Sequence, residues 1–427
     1  MKLFVLLSRV PFPLEKGDKL RAYHLVKRLA ARHEVYLCCL TDQPIIDDHL
    51  AHLRTFCHHL EVIPLPRWRI IWKLATAVFS RLPYQVAYFH HRAAQRKVDA
   101  AIARFRPDHV LCQLVRTSEY VRRHLQLPKT LDYMDTLSKG MERRTETAIA
   151  LFRPLLLAET RRLITYENLM FDLFDNRIII SKQDRDYVYH PHRDQMAVIP
   201  NGVDTDHFNP MPGEKKYDLL FTGNMNYPPN IDSVIYLVNK VLPLVRAERP
   251  DITLLISGVD PSPRIRELAE RDPQVVVSGW VKDIRVSYAS ARIFVAPMQI
   301  GTGLQNKLLE AMAMGLPCIT SSLANNAVGA PPGQAILIGH TPTDYAVHIL
   351  RLLEHPEERE MLAANGLRFV RSHFDWATAA DALDRPDHRA PRACGKPWPS
   401  RDRLTSRPLE SAWCALSRTH EEDPGPH

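Results

Sequence analysis

The sequence predicts an α/β chain built from two doubly wound parallel sheets that face each other across a cleft. Short apolar strands alternate with helical stretches in both halves, the pattern of βαβ units. A polar stretch rich in proline and glycine, PNGVDTDHFNPMPGEKK from Pro200, divides the halves. The second half is arranged around a strand, glycine loop, helix and strand between Arg292 and Ser322, RIFVAPMQIGTGLQNKLLEAMAMGLPCITSS. The expected limits are a first domain over 1–200, a linker over 201–216, a second domain over 217–384 and a disordered tail over 385–427.

In chain order, Lys2 to Leu7 (KLFVLL) forms a buried strand, followed by the loop RVPFPLEKGDK. Asp18 is placed to cap a helix running from Lys19 to Ala31. The loop thus lies at the carboxyl end of the first strand, with Gly17 at its tip and Lys16, Lys19 and Arg21 around it. Such a glycine is either a turn residue or part of a ligand loop. Further strands are expected at Val35 to Leu40, His109 to Cys112, Lys129 to Asp132, Arg177 to Ile180 and Ala197 to Ile199.

A helix from Ile46 to His59 would pack through Leu50, Leu53, Phe56 and Leu60. Its histidines, His49, His52, His58 and His59, form a solvated face without a closed metal-ligand spacing. Arg67 to Arg81 (RWRIIWKLATAVFSR) has the composition of a basic amphipathic helix that either packs on its own domain or lies on an anionic membrane. Helices follow at Arg92 to Phe105 and Gly140 to Phe174, the latter kinked or divided by Pro154. The second half should hold strands at Asp218 to Phe221, Ile252 to Ile256, Val275 to Val277 and Ala335 to Ile338. Its helices should span Ile231 to Glu248, Pro342 to Leu353 and Pro356 to Arg371. Beyond Leu383 the apolar period ends and proline is frequent, so the tail is expected to be disordered.

Composition narrows the function. The 427 residues are 45% hydrophobic and 24% charged, an ordinary soluble balance, and no run approaches a membrane-spanning helix. The N-terminus MKLFVLLSRVPFP lacks a signal-peptide cleavage pattern, which points to the cytoplasm. Seven cysteines without CxxC pairs argue for reduced, mostly buried thiols. A net charge of +8 favours anionic partners. Only Gly17 and Gly140 precede Gly202, so a GxGxxG fingerprint is excluded from the first half, and neither GxxxxGK[ST] nor GxSxG occurs anywhere.

In the central unit, Ile293 to Ala296 and Pro317 to Thr320 are the strands, and Leu304 to Met314 the helix, stopped by Gly315 and Pro317. Leu304, Leu308, Leu309 and Met312 share one face, while Lys307, Glu310 and Met314 share another. Gly301 and Gly303 leave the loop backbone open to a ligand. A strand, glycine loop and helix N-terminus make an anion site, to which Lys307 adds charge and Glu310 an acceptor for paired hydroxyls, a set suited to a sugar nucleotide. Alternatively Lys307 and Glu310 form a surface ion pair on an ordinary crossover helix.

Five segments together resemble retaining glycosyltransferases of family four, with the GT-B fold: GTGLQNKLLEAMAMGLP from Gly301, PNGVD from Pro200, FTGNMNYPPNID from Phe221, GWVKDI from Gly279 and SRVPFPLEKGDKLRAYHL from Ser8. More narrowly, the chain is similar to sugar transferases of bacterial exopolysaccharide and exosortase (PEP-CTERM) systems. The resemblance implies transfer of a sugar, with retention, from a nucleotide diphosphate sugar to a saccharide or lipid-linked acceptor, without cofactor or essential metal. It implies that Glu310 holds the donor ribose and that Lys307 contacts the diphosphate with amides near Gly303 and Leu304. Gly17 would approach donor phosphate and acceptor, and Arg21, Asn224, Gly301 and Thr302 complete the expected substrate-binding set.

The sequence departs from the family pattern at three places. Thr302 replaces the glutamate eight residues before Glu310, Asn224, Met225 and Asn226 stand where many members carry an arginine, and Cys112, Gln113 and Leu114 stand where many carry a histidine. A non-catalytic sugar-nucleotide or polysaccharide-binding member of a glycan assembly complex is the alternative. Nucleic acid is not an expected partner, because basic motifs interleaved with aromatics are missing. The expected location is cytoplasmic, with a peripheral seat at the inner face of the plasma membrane open through residues 67–81.

Overall fold

The structure is a computed structural model that describes residues 1–385 except Glu15, Val78, Thr147, Gly301 and Thr302. The tail expected to be disordered lies, from 386, outside the described residues. The first sheet contains β1 (Lys2–Leu7), β2 (Glu34–Thr41), β3 (His59–Pro64), β4 (His109–Gln113), β5 (Lys129–Asp132), β6 (Asn176–Ile179) and β7 (Ala197–Val198). Their order is β3-β2-β1-β4-β5-β6-β7, and every pairing is parallel. The second sheet contains β8 (Tyr217–Thr222), β9 (Leu254–Ser257), β10 (Val275–Gly279), β11 (Ala291–Ala296), β12 (Cys318–Thr320) and β13 (Leu337–Ile338). Its order is β10-β9-β8-β11-β12-β13, again all parallel.

Both faces of a parallel sheet are covered by its crossover helices, so its strands must be apolar on both sides. In β1, Phe4 and Leu6 enter one core while Leu3, Val5 and Leu7 enter the other, an alternation set by the two-residue side-chain period. The five cysteines at 38, 39, 57, 112 and 318 are buried and unpaired.

Several elements differ from expectation. The helix expected to reach His59 spans Asp47–Arg54, and His59–Pro64 is edge strand β3. The alternation there was masked by Glu61, whose carboxylate accepts a hydrogen bond from the Tyr36 hydroxyl at 2.6 Å. Asp18 is not a cap: the helix spans Gly17–Ala30 after Lys16, and Asp18, in its first turn, pairs with Arg9. The stretch from Gly140 to Phe174 divides into helices Leu137–Glu146 and Arg153–Leu173, with Pro154 in the first turn of the second, where its missing N–H removes no helical bond.

The chain then returns to its first half. Helix Trp376–Asp384 packs on the Gly17–Ala30 helix, burying Trp376, Ala379, Ala380 and Leu383 in a first-domain core. The expected range of 217–384 therefore runs past the second sheet and back onto the first domain. Trp376 stacks on His24 with centroids 4.9 Å apart, and Gly202 is required beneath it, since a Cβ there would stand 2.6 Å from the Trp376 backbone nitrogen and 2.7 Å from its ring.

Arg21, expected at the substrate, is wholly buried and has a different role. Its Nε donates to Asp132 at the end of β5 at 2.6 Å, and its Nη1 donates to the Ile199 carbonyl at 2.9 Å and the Asn201 side chain at 3.1 Å. One guanidinium thus ties the first helix, the sheet and the start of the linker together. Removing one partner of a buried pair leaves an uncompensated charge. Arg21→Met should accordingly lower unfolding stability by about 3–5 kcal/mol in denaturant titration; unchanged stability with weakened ligand binding would restore the substrate role.

Burial pushes the His24 imidazole down to about 4, so it is neutral in the folded protein. The unfolded histidine binds a proton below its ordinary value near 6.5. Stability is therefore lost as pH falls from about 6.5 toward 4, by roughly 2–3 kcal/mol at the lower end. His24→Phe, which keeps a ring against Trp376, should flatten this part of the stability profile; a profile with the wild-type slope would assign it to other groups.

Candidate functional site between the two sheets

In open parallel sheets, ligands bind beyond the carboxyl ends of the strands where the chain reverses its direction of travel. In the first sheet that point lies between β1 and β4, and in the second between β8 and β11. The loops leaving these four strands meet in one cleft of about 520 Å³. Arg9, Gly17 and Asp18 line it from the β1 side and Arg116 from the β4 side, while Tyr227 and Gly303 to Asn306 face them from the second domain. Asn201, at the junction of the halves, contacts Asn306 at 3.5 Å.

The cleft wall carries backbone strain. Leu114 and Met134, which follow β4 and β5, take φ of +64° and +62°, a region unfavourable for side chains with a Cβ. Such residues cost about 1–3 kcal/mol each and concentrate at ligand sites. Their side chains join Ile180 in a small apolar cluster, and Leu304 packs against it from the second domain. Leu304 therefore bridges the domains across the cleft. Gly17 and Gly303 also line the space, and no described atom outside the neighbouring residues stands within 4 Å of a Cβ built on either.

The helix over Asn306–Ala313 begins after Gln305, which gives no side-chain cap. Its first turn is therefore open to an anion. Leu308, Leu309, Ala311 and Met312 are buried, as the apolar spacing requires. Lys307 and Glu310 do not form the alternative ion pair. The Lys307 ammonium donates to the Asn230 side-chain oxygen and lies 4.8 Å from the Phe221 ring centroid. Glu310 accepts a 2.8 Å hydrogen bond from the Tyr288 hydroxyl through Oε2. Burial lowers Lys307 to about 7 and raises Glu310 to about 7, and the attraction between the two groups opposes both shifts.

Asn230, Tyr288 and Arg116 were not legible as site residues. Asn230 is 77 residues from Lys307 and Tyr288 is 22 from Glu310, with no periodic signal joining either pair. A partial signal was present at Gly223, which follows β8. Its φ is +151° and a Cβ there would stand 2.6 Å from the Asn230 amide nitrogen, so only glycine lets that side chain reach Lys307. Asn224, expected to bind substrate, is exposed and stabilises its own turn: its Oδ1 accepts from the Asn226 N–H at 2.8 Å. Gly301 and Thr302 lie outside the described residues. Gln113, in place of the family histidine, donates to the Asp18 carbonyl at 3.0 Å and braces the first turn of the Gly17–Ala30 helix.

Comparison with known proteins agrees with this geometry. The family Glycosyl transferases group 1 matches residues 216–355. An uncharacterised 44.6 kDa protein in the cps region of Klebsiella pneumoniae is 25% identical over 396 residues, covering 88% of this chain and 96% of that one. The MMP alpha-(1->4)-mannosyltransferase of Mycolicibacterium hassiacum is 30% identical over 195 residues, 44% of this chain and 46% of the enzyme. The Anabaena protein HepE, solved with UDP and glucose, shares the fold with a TM-score of 0.64 at 14% identity, over 90% of this chain and 98% of that one. Residues 216–355 thus match the glycosyl transferases group 1 model within a chain of GT-B architecture.

Proposed function

We propose that the protein is a retaining glycosyltransferase of family four that moves a sugar from a nucleotide diphosphate sugar to a saccharide or lipid-linked acceptor in cell-surface glycan synthesis. The observation that carries this reading is the separation of Lys307 from Glu310, each with its own partner beside an uncapped helix N-terminus. Lys307 and the first-turn amides offer fixed positive charge to a departing diphosphate, which supports metal-independent transfer. Glu310 keeps its second oxygen for a ribose hydroxyl while Tyr288 holds the first. The acceptor would enter along Gly17 and Arg116. Retention and membership of family four rest on the five sequence segments, and a role in exopolysaccharide assembly is supported by the relative in the cps region.

The first test is thermal shift against UDP, GDP, ADP, dTDP and their sugars, since a ligand that binds only the folded state raises the melting temperature. One nucleotide should give a shift of several degrees at saturation, largely lost in Glu310→Ala. A well-folded protein that responds to none would favour the non-catalytic alternative.

Protonation gives an independent check. At pH 8 Lys307 is mostly neutral and Glu310 mostly ionised, because each titrates at about 7. A diphosphate favours the charged lysine, so binding should take up about half to one proton per nucleotide. Calorimetry at pH 8 in buffers of different ionisation enthalpy should show this uptake in the wild type and none in Lys307→Met. Buffer-independent heats in the wild type would remove Lys307 from the phosphate site.

A further inference from the structure

Two exposed apolar runs lie on the first domain away from its core. Helix Arg67–Ala77 buries only Ile70 and Ala77. Trp68, Ile71 and Trp72 are about two-thirds exposed, and Phe79, just beyond the helix, is 94% exposed. The second run is Ile149, Leu151, Phe152 and Leu155, at the start of helix Arg153–Leu173, and all four are exposed. Scattered apolar residues on a surface need no explanation, but contiguous runs containing two tryptophans do.

The runs adjoin. Arg162 Nη1 donates to the Ala77 carbonyl at 3.2 Å and its guanidinium lies 5.2 Å from the Tyr84 ring centroid. Glu159 accepts from the backbone N–H groups of Tyr84 and Gln85 at 2.9 and 3.2 Å. Glu159 and Arg162 stand one and two turns along the same helix from Leu155. The two apolar runs are therefore held on one rigid body.

Charge identifies what fits them. No acidic residue occurs between Glu61 and Asp99 or between Glu146 and Glu159, whereas Arg67, Arg69, Lys73, Arg81 and Arg153 fall within those intervals. The Arg69 guanidinium lies 4.9 Å from the Trp68 ring centroid, which sets a cation beside an amphipathic ring. Indole rings settle at the headgroup level of a bilayer while basic side chains reach its anionic groups. A second copy docking through the same patch would bring like charges together, since a two-fold interface pairs a surface with itself. We propose that the first domain docks on an anionic membrane surface through these two runs.

The patch connects to the cleft. Arg116, in the cleft wall, donates to the Gln85 side chain at 2.9 Å, and the Gln85 N–H is held by Glu159. Helix Leu137–Glu146 lines the cleft through Lys139 and Gly140 and leads within a few residues to Ile149. If the proposed transfer is correct, docking would place this wall beside acceptors carried by the bilayer; that consequence rests on the sugar-transfer reading, while the docking itself does not.

The experiment is cosedimentation of the full chain, without nucleotide, with vesicles of phosphatidylcholine alone or with about a quarter phosphatidylglycerol. Binding should require the anionic lipid, fall with added salt and weaken about fivefold for each cation reversed in Arg67→Glu and Arg69→Glu. The apolar variants Trp68→Ser with Trp72→Ser, and Leu151→Ser with Phe152→Ser, should each lower binding about tenfold or more while leaving the melting temperature within a few degrees. No binding to anionic vesicles, equal binding to neutral ones, binding kept by the variants, or a wild-type dimer that these substitutions dissociate would overturn the proposal. Because the readout needs no donor, its failure would leave the transferase reading to the nucleotide experiments.

Discussion

The buried pair of Arg21 and Asp132 is the constraint on which the arrangement of this molecule depends. A guanidinium taken out of water needs acceptors, and Arg21 finds them for Nε and Nη1 on β5, the Ile199 carbonyl and Asn201, while its Nη2 is buried without a partner among the described residues. Those acceptors belong to parts of the chain more than a hundred residues from Arg21. The bonds of one side chain therefore set the first helix against the carboxyl edge of the first sheet and hold the start of the linker. Asn201 then reaches Asn306, the first residue of the helix that carries Lys307 and Glu310. The polar chain runs from the first domain to the proposed donor site through Asn201 and Asn306, which line the cleft.

Around that knot, the two sheets follow the ordinary demands of parallel β structure. The central strands are apolar because helices cover both faces, and each reversal of strand order leaves a crevice that connecting loops cannot fill. The loop residues Leu114 and Met134 accept unfavourable backbone angles, and their side chains meet Leu304 across the crevice. The cleft thus has an apolar contact across it and a lining that mixes apolar residues such as Leu137 and Pro229 with charged ones such as Arg9, Arg116 and Lys139. The return of Trp376 onto His24 ties the two halves a second time, through stacking rather than charge.

The proposed donor site shows how tertiary contacts set the chemistry of a short motif. On an isolated helix, Lys307 and Glu310 would be within reach of each other. Here Asn230 and Tyr288 take them separately, and burial brings both titrations toward neutral pH. A lysine in this state gains most from an incoming anion, because the ligand supplies the charge that its surroundings withhold.

Much of the fold was legible from local chemistry. The apolar runs marked most strands, the two-residue and three-to-four-residue periods distinguished strands from helices, and proline marked the division of the long helical stretch. Gly17, Gly303 and Leu304, which line the cleft, and Lys307 and Glu310, on the helix beside it, stand out in the sequence because the strand, loop and helix that carry most of them have short-range signatures. Strand β3 was not, since an edge strand bearing His59 and Glu61 lacks a clean alternation. Arg21 was misplaced because a basic residue beside a glycine loop has the same sequence signature whether it faces a ligand or a buried carboxylate. Local sequence determined the two sheets and the positions of the loops, since propensity and side-chain period act over a few residues. The tertiary structure alone decided which distant partners Arg21, Lys307 and Glu310 would take, because desolvation and hydrogen bonding depend on what the whole chain brings within about 3 Å.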